Sequence, residues 1–392
     1  MNMFTRIFAV CRVPGEPADR MARYDASTST EIVVFCKEHV FFLPVYYAST
    51  RDILTIGDFE AQITHVLHHA CHLSSSENGG VGAFTGTTRS EWAAARGNLC
   101  ALSALNVKNI ERIQSSLFAL CLDDLSPQTP SELISGTAAG EEVGNRWFDK
   151  SLQYVVFANG MVGANLEHGN ADATIFMSMF KWLGERYLCR SGGYETFIES
   201  KTQVYLPPPV PVSWILNDEL RTGIQKAKSE FQIRAANFSP AAIRFKGFGR
   251  PWIKKSGFPP DAFVQMALQL AYTKITGTHC PTYESAHTRF FFHGRTETIR
   301  SCTEESIAFC NSMLSTSTTS LQKKTSLETA VAKHMEIGMA ALNGEGFDRH
   351  LLGLQIASIL NGTSLPELFS DPSYNKAGGG GNFVLSSSNV SG

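Results

Sequence analysis

An α/β fold in two domains is the architecture that the sequence predicts, and three observations predict it. Short apolar segments occur in pairs around turn residues, as β-hairpins require. Between them lie runs of helical length with start and stop signals. A proline run, Pro207-Pro208-Pro209-Val210-Pro211, divides the chain, because consecutive prolines continue neither a helix nor a central strand. With 392 residues there is room for two cores, and 43% hydrophobic against 18% charged residues fits a soluble globular enzyme. The boundary at the prolines gives one domain at 1–206 and a second at 212–392.

Taken in order, Ile32 to Phe35 and Val40 to Tyr46 read as a strand pair joined by Lys37-Glu38-His39. His65, His68, His69 and His72, with Cys71 beside them, fall on a helix after Gly57. His65, His69 and His72 share a face, but no acidic residue joins them in the H-E-x-x-H manner, so the reading is a solvated polar face and no metal site. Glu91 to Leu105 and Val107 to Cys121 read as helices, and Leu125 to Glu142, rich in Ser, Pro, Thr and Gly, as a surface loop. Leu152 to Phe157 and Met161 to Leu166 flank Asn159-Gly160, a dipeptide that tolerates the positive φ angles of a type I′ turn. Beyond the prolines, Glu219 to Ile233 and Asp261 to Thr276 are helices, the latter with Pro260 at its start and Gly277 at its stop.

The second hairpin delivers the first candidate for chemistry. His168 stands where the strand ends, and Asp172 follows four residues later. If a helix starts across Gly169 to Ala173, the two share a face, the spacing of a general base oriented by a carboxylate. An H-x-x-x-D pair alone is common among surface charges. The text around it is more specific.

The stretch NRWFDKSLQYVVFANGMVGANLEHGNAD, from Asn145 to Asp172, resembles the catalytic segment of the choline/carnitine acyltransferase family. Thr85 to Ala93 resembles that family's T-x-x-R-x-x-W-A stretch. The block from Phe248 to Thr303, with IKKSGFPPDAFVQMALQLAY and PTYESAHTRFFFHGRTETIRSCT, resembles its second half. Asp348-Arg349-His350-Leu351 and Leu385-Ser386-Ser387-Ser388 resemble the later D-R-H-L and L-S-T-S motifs, all in the family's order. The resemblance implies two domains like chloramphenicol acetyltransferase, with mixed sheets flanked by helices and the active site at their interface.

It also implies reversible transfer of an acyl group between coenzyme A and carnitine, with CoA or acyl-CoA as co-substrate and no permanently bound cofactor. The family's general base falls on His168, its orienting acid on Asp172, and the oxyanion-stabilising serine on Ser388. Ser386, Tyr283, Thr296 and Arg349 match the carnitine pocket. An arginine there marks carnitine users, where choline users carry a neutral residue. Thr296-Glu297-Thr298 is likewise the carnitine pattern. Ser387 stands where threonine is usual and should face away from Ser386 and Ser388. Arg300 receives no substrate role. Lys254 and Lys255 match the region that binds CoA phosphate, with Arg250 in place of a lysine, and Asp261 matches an acid near the pantetheine. Pro259 replaces a serine or threonine, so the following helix should lack its N-cap.

The chain is expected to be truncated at both ends relative to that family. Arg12-Val13-Pro14-Gly15-Glu16, and Phe148 to Ser151 with Val155-Val156-Phe157, lean toward carnitine palmitoyltransferases and medium or long acyl chains. The expected location is intracellular, mitochondrial or else peroxisomal. A net charge of −2 gives no general attraction to nucleic acid, and no apolar run is long enough to span a bilayer. The alternatives are a non-catalytic acyl-CoA-binding fragment and a choline or carnitine acetyltransferase.

Overall fold

A computed structural model of the chain describes residues 3–74, 79–140, 143–188 and 205–388. The chain divides into two compact units, Met1–Ile243 and Arg244–Gly392. Both are α/β, with mixed sheets flanked by helices.

The first unit is built on five strands in the order β4-β3-β5-β6-β7. These are β3 (Glu31–Cys36), β4 (His39–Pro44), β5 (Ala119–Asp123), β6 (Leu152–Phe157) and β7 (Val162–Leu166), beside a small ribbon of β1 (Val10–Val13) and β2 (Arg20–Arg23). β5 lies parallel to both β3 and β6, while the β3/β4 and β6/β7 pairs are antiparallel. The central strands are buried on both faces, hence the continuous apolar runs of β3 and β5. Helices Arg89–Leu102, Ala104–Ser115 and Asp218–Ala235 cover one core, in which Phe84 stacks on Trp92 and Trp92 meets Trp147 edge-on at 5.7 Å.

Both expected hairpins form, with their turn types exchanged. At Asn159-Gly160 only Gly160 has positive φ, +80°. The Gly160 N–H donates to Phe157 O at 2.8 Å and the Phe157 N–H to Met161 O at 2.9 Å, which is a three-residue loop rather than a type I′ turn. The two-residue loop is Lys37-Glu38, where neither residue is glycine and both φ angles are positive, 48° and 67°. Such a conformation costs non-glycine residues about 1–2 kcal/mol each. Tertiary contacts offset it: the Glu38 N–H donates to Asn145 Oδ1 at 3.3 Å, its carbonyl accepts from Gly80, and its carboxylate pairs with Lys228.

Three other expectations are corrected. The helix expected to reach Cys121 ends at Ser115, and Ala119–Asp123 is the central strand β5. The stretch 125–142 is not all loop. Thr129 accepts from the Glu132 N–H and Pro130 takes the first turn of a helix, Pro130–Ala138. The proline run does not end the first unit either. The Val212 N–H donates to Val40 O at 2.8 Å, and Trp214, Leu220 and Ile224 are buried in the first core, so the division falls after Ile243.

In the second unit, β8 (Thr282–His287) pairs antiparallel with β9 (Thr296–Arg300) and parallel with β10 (Leu385–Ser386). Helices Pro260–Thr276, Glu304–Leu314 and Ser320–Leu342 pack around Met266, Phe309, Cys310 and Val331. The first of them starts and stops as expected, with Gly277 at φ +72°, and Pro259 supplies no side-chain cap. The strand that carries Ser386 is two residues long. Among the described residues no helix is long and apolar enough to cross a membrane.

Candidate active site

His168 opens the turn that follows β7, and its Nδ1 lies 3.7 Å from Asp172 Oδ1. The imidazole is 75% exposed and the carboxylate 19%. Contrary to the expectation of a helix starting across Gly169 to Ala173, the acid does not share a helical turn with the histidine. Asp172 is the N-cap position of helix Ala173–Leu183 and makes no side-chain capping bond to it. The turn is held on both sides instead. Glu167 accepts from the Gly169 N–H at 3.0 Å and from Arg12 at 3.4 Å. Asn170, 4% exposed, accepts from Arg23 at 2.8 and 3.1 Å and donates to Arg6 O. Neither support was read from the sequence, because each joins residues about 150 positions apart.

Arg12 belongs to a longer chain of charges. Asp19 accepts from Arg12 and from Arg89, both at 2.6 Å, and Arg89 also grips Asp149 at 2.6 Å. Burial opposes ionisation of Asp19, but the bonds from Arg89, Arg12 and the Gly15 N–H outweigh it and hold its carboxyl below the usual range. Asp149 accepts in addition from the Trp92 indole at 2.7 Å, and burial pushes its carboxyl up.

The second unit gathers the residues matched to the carnitine pocket. Arg349, on helix Asp348–Leu360, reaches Tyr283 Oη and Thr296 Oγ1, each at 3.3 Å, and donates from Nε to Thr296 O at 3.1 Å. Nη1 has no partner among the described residues. Tyr283, Arg349 and Ser386 line one cavity of about 350 Å³ with Thr298, Asp348, Tyr374 and Phe383. Ser386 enters it because β10 registers Ser386 beside Tyr283. Ser386 and Ser388 are exposed while Ser387 is buried, its carbonyl accepting from Gln265 at 2.9 Å, so the middle serine does face away. Arg300 is structural: it holds Asp348 through two bonds, 2.9 and 2.7 Å, and donates to Ala377 O at 2.6 Å. Sequence reasoning passed over Thr298 and Glu297, although both stand in the run that it singled out.

The candidate CoA residues are less closely assembled. Arg250, Lys254 and Lys255 are exposed on the short helix Arg250–Lys255. Arg250 and Asp261 line an apolar cavity of about 690 Å³ with Phe245, Phe248, Ile253 and Phe263; Lys254 and Lys255 do not. Asp261, Glu284 and His334 bring their donor atoms within 4.8 Å of one another, the grouping among the described residues best able to take a metal. Hydrogen bonding accounts for it as it stands, since Glu284 Oε2 accepts from Ser301 and from His334, each at 2.8 Å. Partial burial, then the neighbouring charge of Glu284, raises the Asp261 carboxyl above its usual range. The histidines on helix Ile56–Ala70 do different work: His69 packs edge-on to Phe41, and His68 meets His72 at 4.9 Å.

A family model, Choline/Carnitine o-acyltransferase, matches residues 1–392. The chain belongs to the choline/carnitine O-acyltransferase family. Among curated relatives it is 36% identical over 398 residues to peroxisomal carnitine O-octanoyltransferase of Homo sapiens, covering 100% of the chain and 64% of the relative. The Bos taurus protein of the same name is 35% identical with the same coverage. Carnitine O-acetyltransferase of Homo sapiens is 33% identical over 387 residues, covering 95% of the chain and 60% of the relative. The chain thus spans 64% of the length of the octanoyltransferases that it matches. Within the family, the Arg-Trp-Phe-Asp-Lys run at 146–150 here serves packing: Arg146, Asp149 and Lys150 are all buried on internal partners.

Proposed function

We propose that the protein transfers an acyl group reversibly between coenzyme A and carnitine. The observation that carries this reading is the Arg349 cavity. Tyr283, Arg349 and Ser386, from two strands and a helix, line one cationic, hydroxyl-bearing space, and Thr296 on a third strand holds the same guanidinium through its hydroxyl. A planar guanidinium among hydroxyl groups suits the carboxylate of carnitine, whereas choline carries only a cationic quaternary ammonium and offers the arginine no anionic partner.

In this reading His168 takes the proton of the carnitine hydroxyl, with Asp172 orienting the ring and stabilising its charged form. The oxygen attacks the thioester carbonyl, and the Ser388 hydroxyl stabilises the resulting oxyanion. Collapse expels the CoA thiolate, which takes the proton back from His168, so no covalent enzyme intermediate is needed. Arg250, Lys254 and Lys255 would meet phosphates of CoA and Asp261 its pantetheine arm. The octanoyltransferase relatives favour medium-chain acyl groups over the palmitoyl type expected from local motifs, and their names favour the peroxisome over the mitochondrion.

A thiol-release assay across acetyl-, octanoyl- and palmitoyl-CoA, with carnitine and choline as acceptors, tests this. The expected result is turnover with carnitine, best with octanoyl-CoA. His168→Ala should lose roughly 10²–10⁴-fold in kcat. Wild-type turnover that persists unchanged in that variant would overturn the assignment of the base. Choline outcompeting carnitine would overturn the acceptor.

A further inference from the structure

Arg349 is anchored by its backbone as well as by its side chain. Its helix, Asp348–Leu360, starts from Phe347, which provides no side-chain cap. The first N–H groups of a helix need acceptors, and one is supplied from another element. Glu297, on β9 between Thr296 and Thr298, accepts the Arg349 N–H at 3.3 and 3.4 Å through its two carboxylate oxygens, and the Thr298 N–H at 2.6 Å. Glu297 is 5% exposed, and a buried negative charge at a helix N-terminus is favourable where it also accepts hydrogen bonds. Gly346 makes the approach possible, since a Cβ there would lie 2.3 Å from Glu297 Cγ. Arg300, farther along the same strand, holds Asp348 by two bonds. Thr296 O, one residue before Glu297, accepts from Arg349 Nε. Three residues of β9 thereby determine where the helix begins and where the guanidinium ends.

We propose that Glu297 is a positioning residue for Arg349: its side-chain length sets the distance between β9 and the helix, and so the reach of the guanidinium toward an acceptor carboxylate. This rests on the carnitine reading above and adds to it a residue that touches no substrate. Aspartate at this position is one methylene too short to hold both N–H groups. Glutamine keeps the length and one acceptor oxygen but loses the charge.

The test uses the whole protein with Glu297→Asp, Glu297→Gln, Arg349→Ala and the Glu297→Asp/Arg349→Ala pair, measuring KM for carnitine and for octanoyl-CoA, kcat, and carnitine binding by calorimetry. Glu297→Asp should raise KM for carnitine about tenfold, and Glu297→Gln about threefold, with KM for octanoyl-CoA within about twofold of wild type. Because Glu297 acts through Arg349, Glu297→Asp should cost nothing further once Arg349 is alanine. Full multiplication of the two effects would overturn the proposal. So would equal losses for both substrates, or kinetically silent Glu297 variants. Should the aspartate variant not fold, the isosteric Glu297→Gln decides by the same split between the two KM values. A wild type that neither binds nor acylates carnitine sinks the activity reading, whereas an active wild type with indifferent Glu297 variants sinks only the positioning role.

Discussion

Arg146 and Asp123 form a two-pronged ion pair inside the first unit, Nη1 to Oδ1 at 2.8 Å and Nη2 to Oδ2 at 2.6 Å, with neither side chain more than 5% exposed. Asp123 ends the central strand β5, so the pair ties the run at 145–150 to the middle of the sheet. Lys150 does the same for a helix. Its ammonium is buried and donates to the carbonyls of Ile113, Gln114 and Ser116 at the end of helix Ala104–Ser115. Charges that look solvated in the sequence are thus the internal ties of the fold.

Lys150→Met keeps the apolar stem and removes the donor, leaving three buried carbonyls without it. Chemical denaturation should show a loss of about 2–4 kcal/mol. An unchanged midpoint would mean that other donors already satisfy the end of the helix.

The Asp19 carboxyl is held below its ordinary value by Arg89 and Arg12, which gives a stability term with a defined sign. A depressed carboxylate pKa contributes stability that is complete above the unfolded value, near 3.8, and is lost as pH falls through the lower folded value. Asp19→Asn should cost about 1 kcal/mol at neutral pH. The gap from wild type should close progressively below pH 3.8, the unfolded reference value. A gap that widens in acid would refute the assignment. Because Asp19 leads through Arg12 to Glu167 beneath the His168 turn, the same variant should also lower kcat at neutral pH.

Burial pushes the Cys11 and Cys121 thiols up to about 12. At pH 8 the reactive thiolate is then about one part in ten thousand, and the sulfurs are enclosed as well. Iodoacetamide should modify exposed Cys71 while Cys11 and Cys121 stay intact until denaturant is added. Mass spectrometry of the peptides reads this directly, and early alkylation of Cys121 would mean that the central sheet opens in the native state.

What the sequence determined by itself was whatever local chemistry writes down: the sites of both hairpins, the limits of the helix from Pro260 to Gly277, and the residue types of the Arg349 cavity in their order along the chain. Alternation along a strand was enough to turn Ser387 away from Ser386 and Ser388. Tertiary structure decided the rest, because it depends on partners distant in sequence. Glu38 accepts a left-handed turn through Asn145 and Lys228, and Ala119 to Cys121 is strand only because β3 and β6 flank it. Glu297 looked like one more letter of a motif until the fold brought it within hydrogen-bond reach of a partner 52 positions away in sequence. A buried charge announces itself only through the group that compensates it, and that group lies on another element.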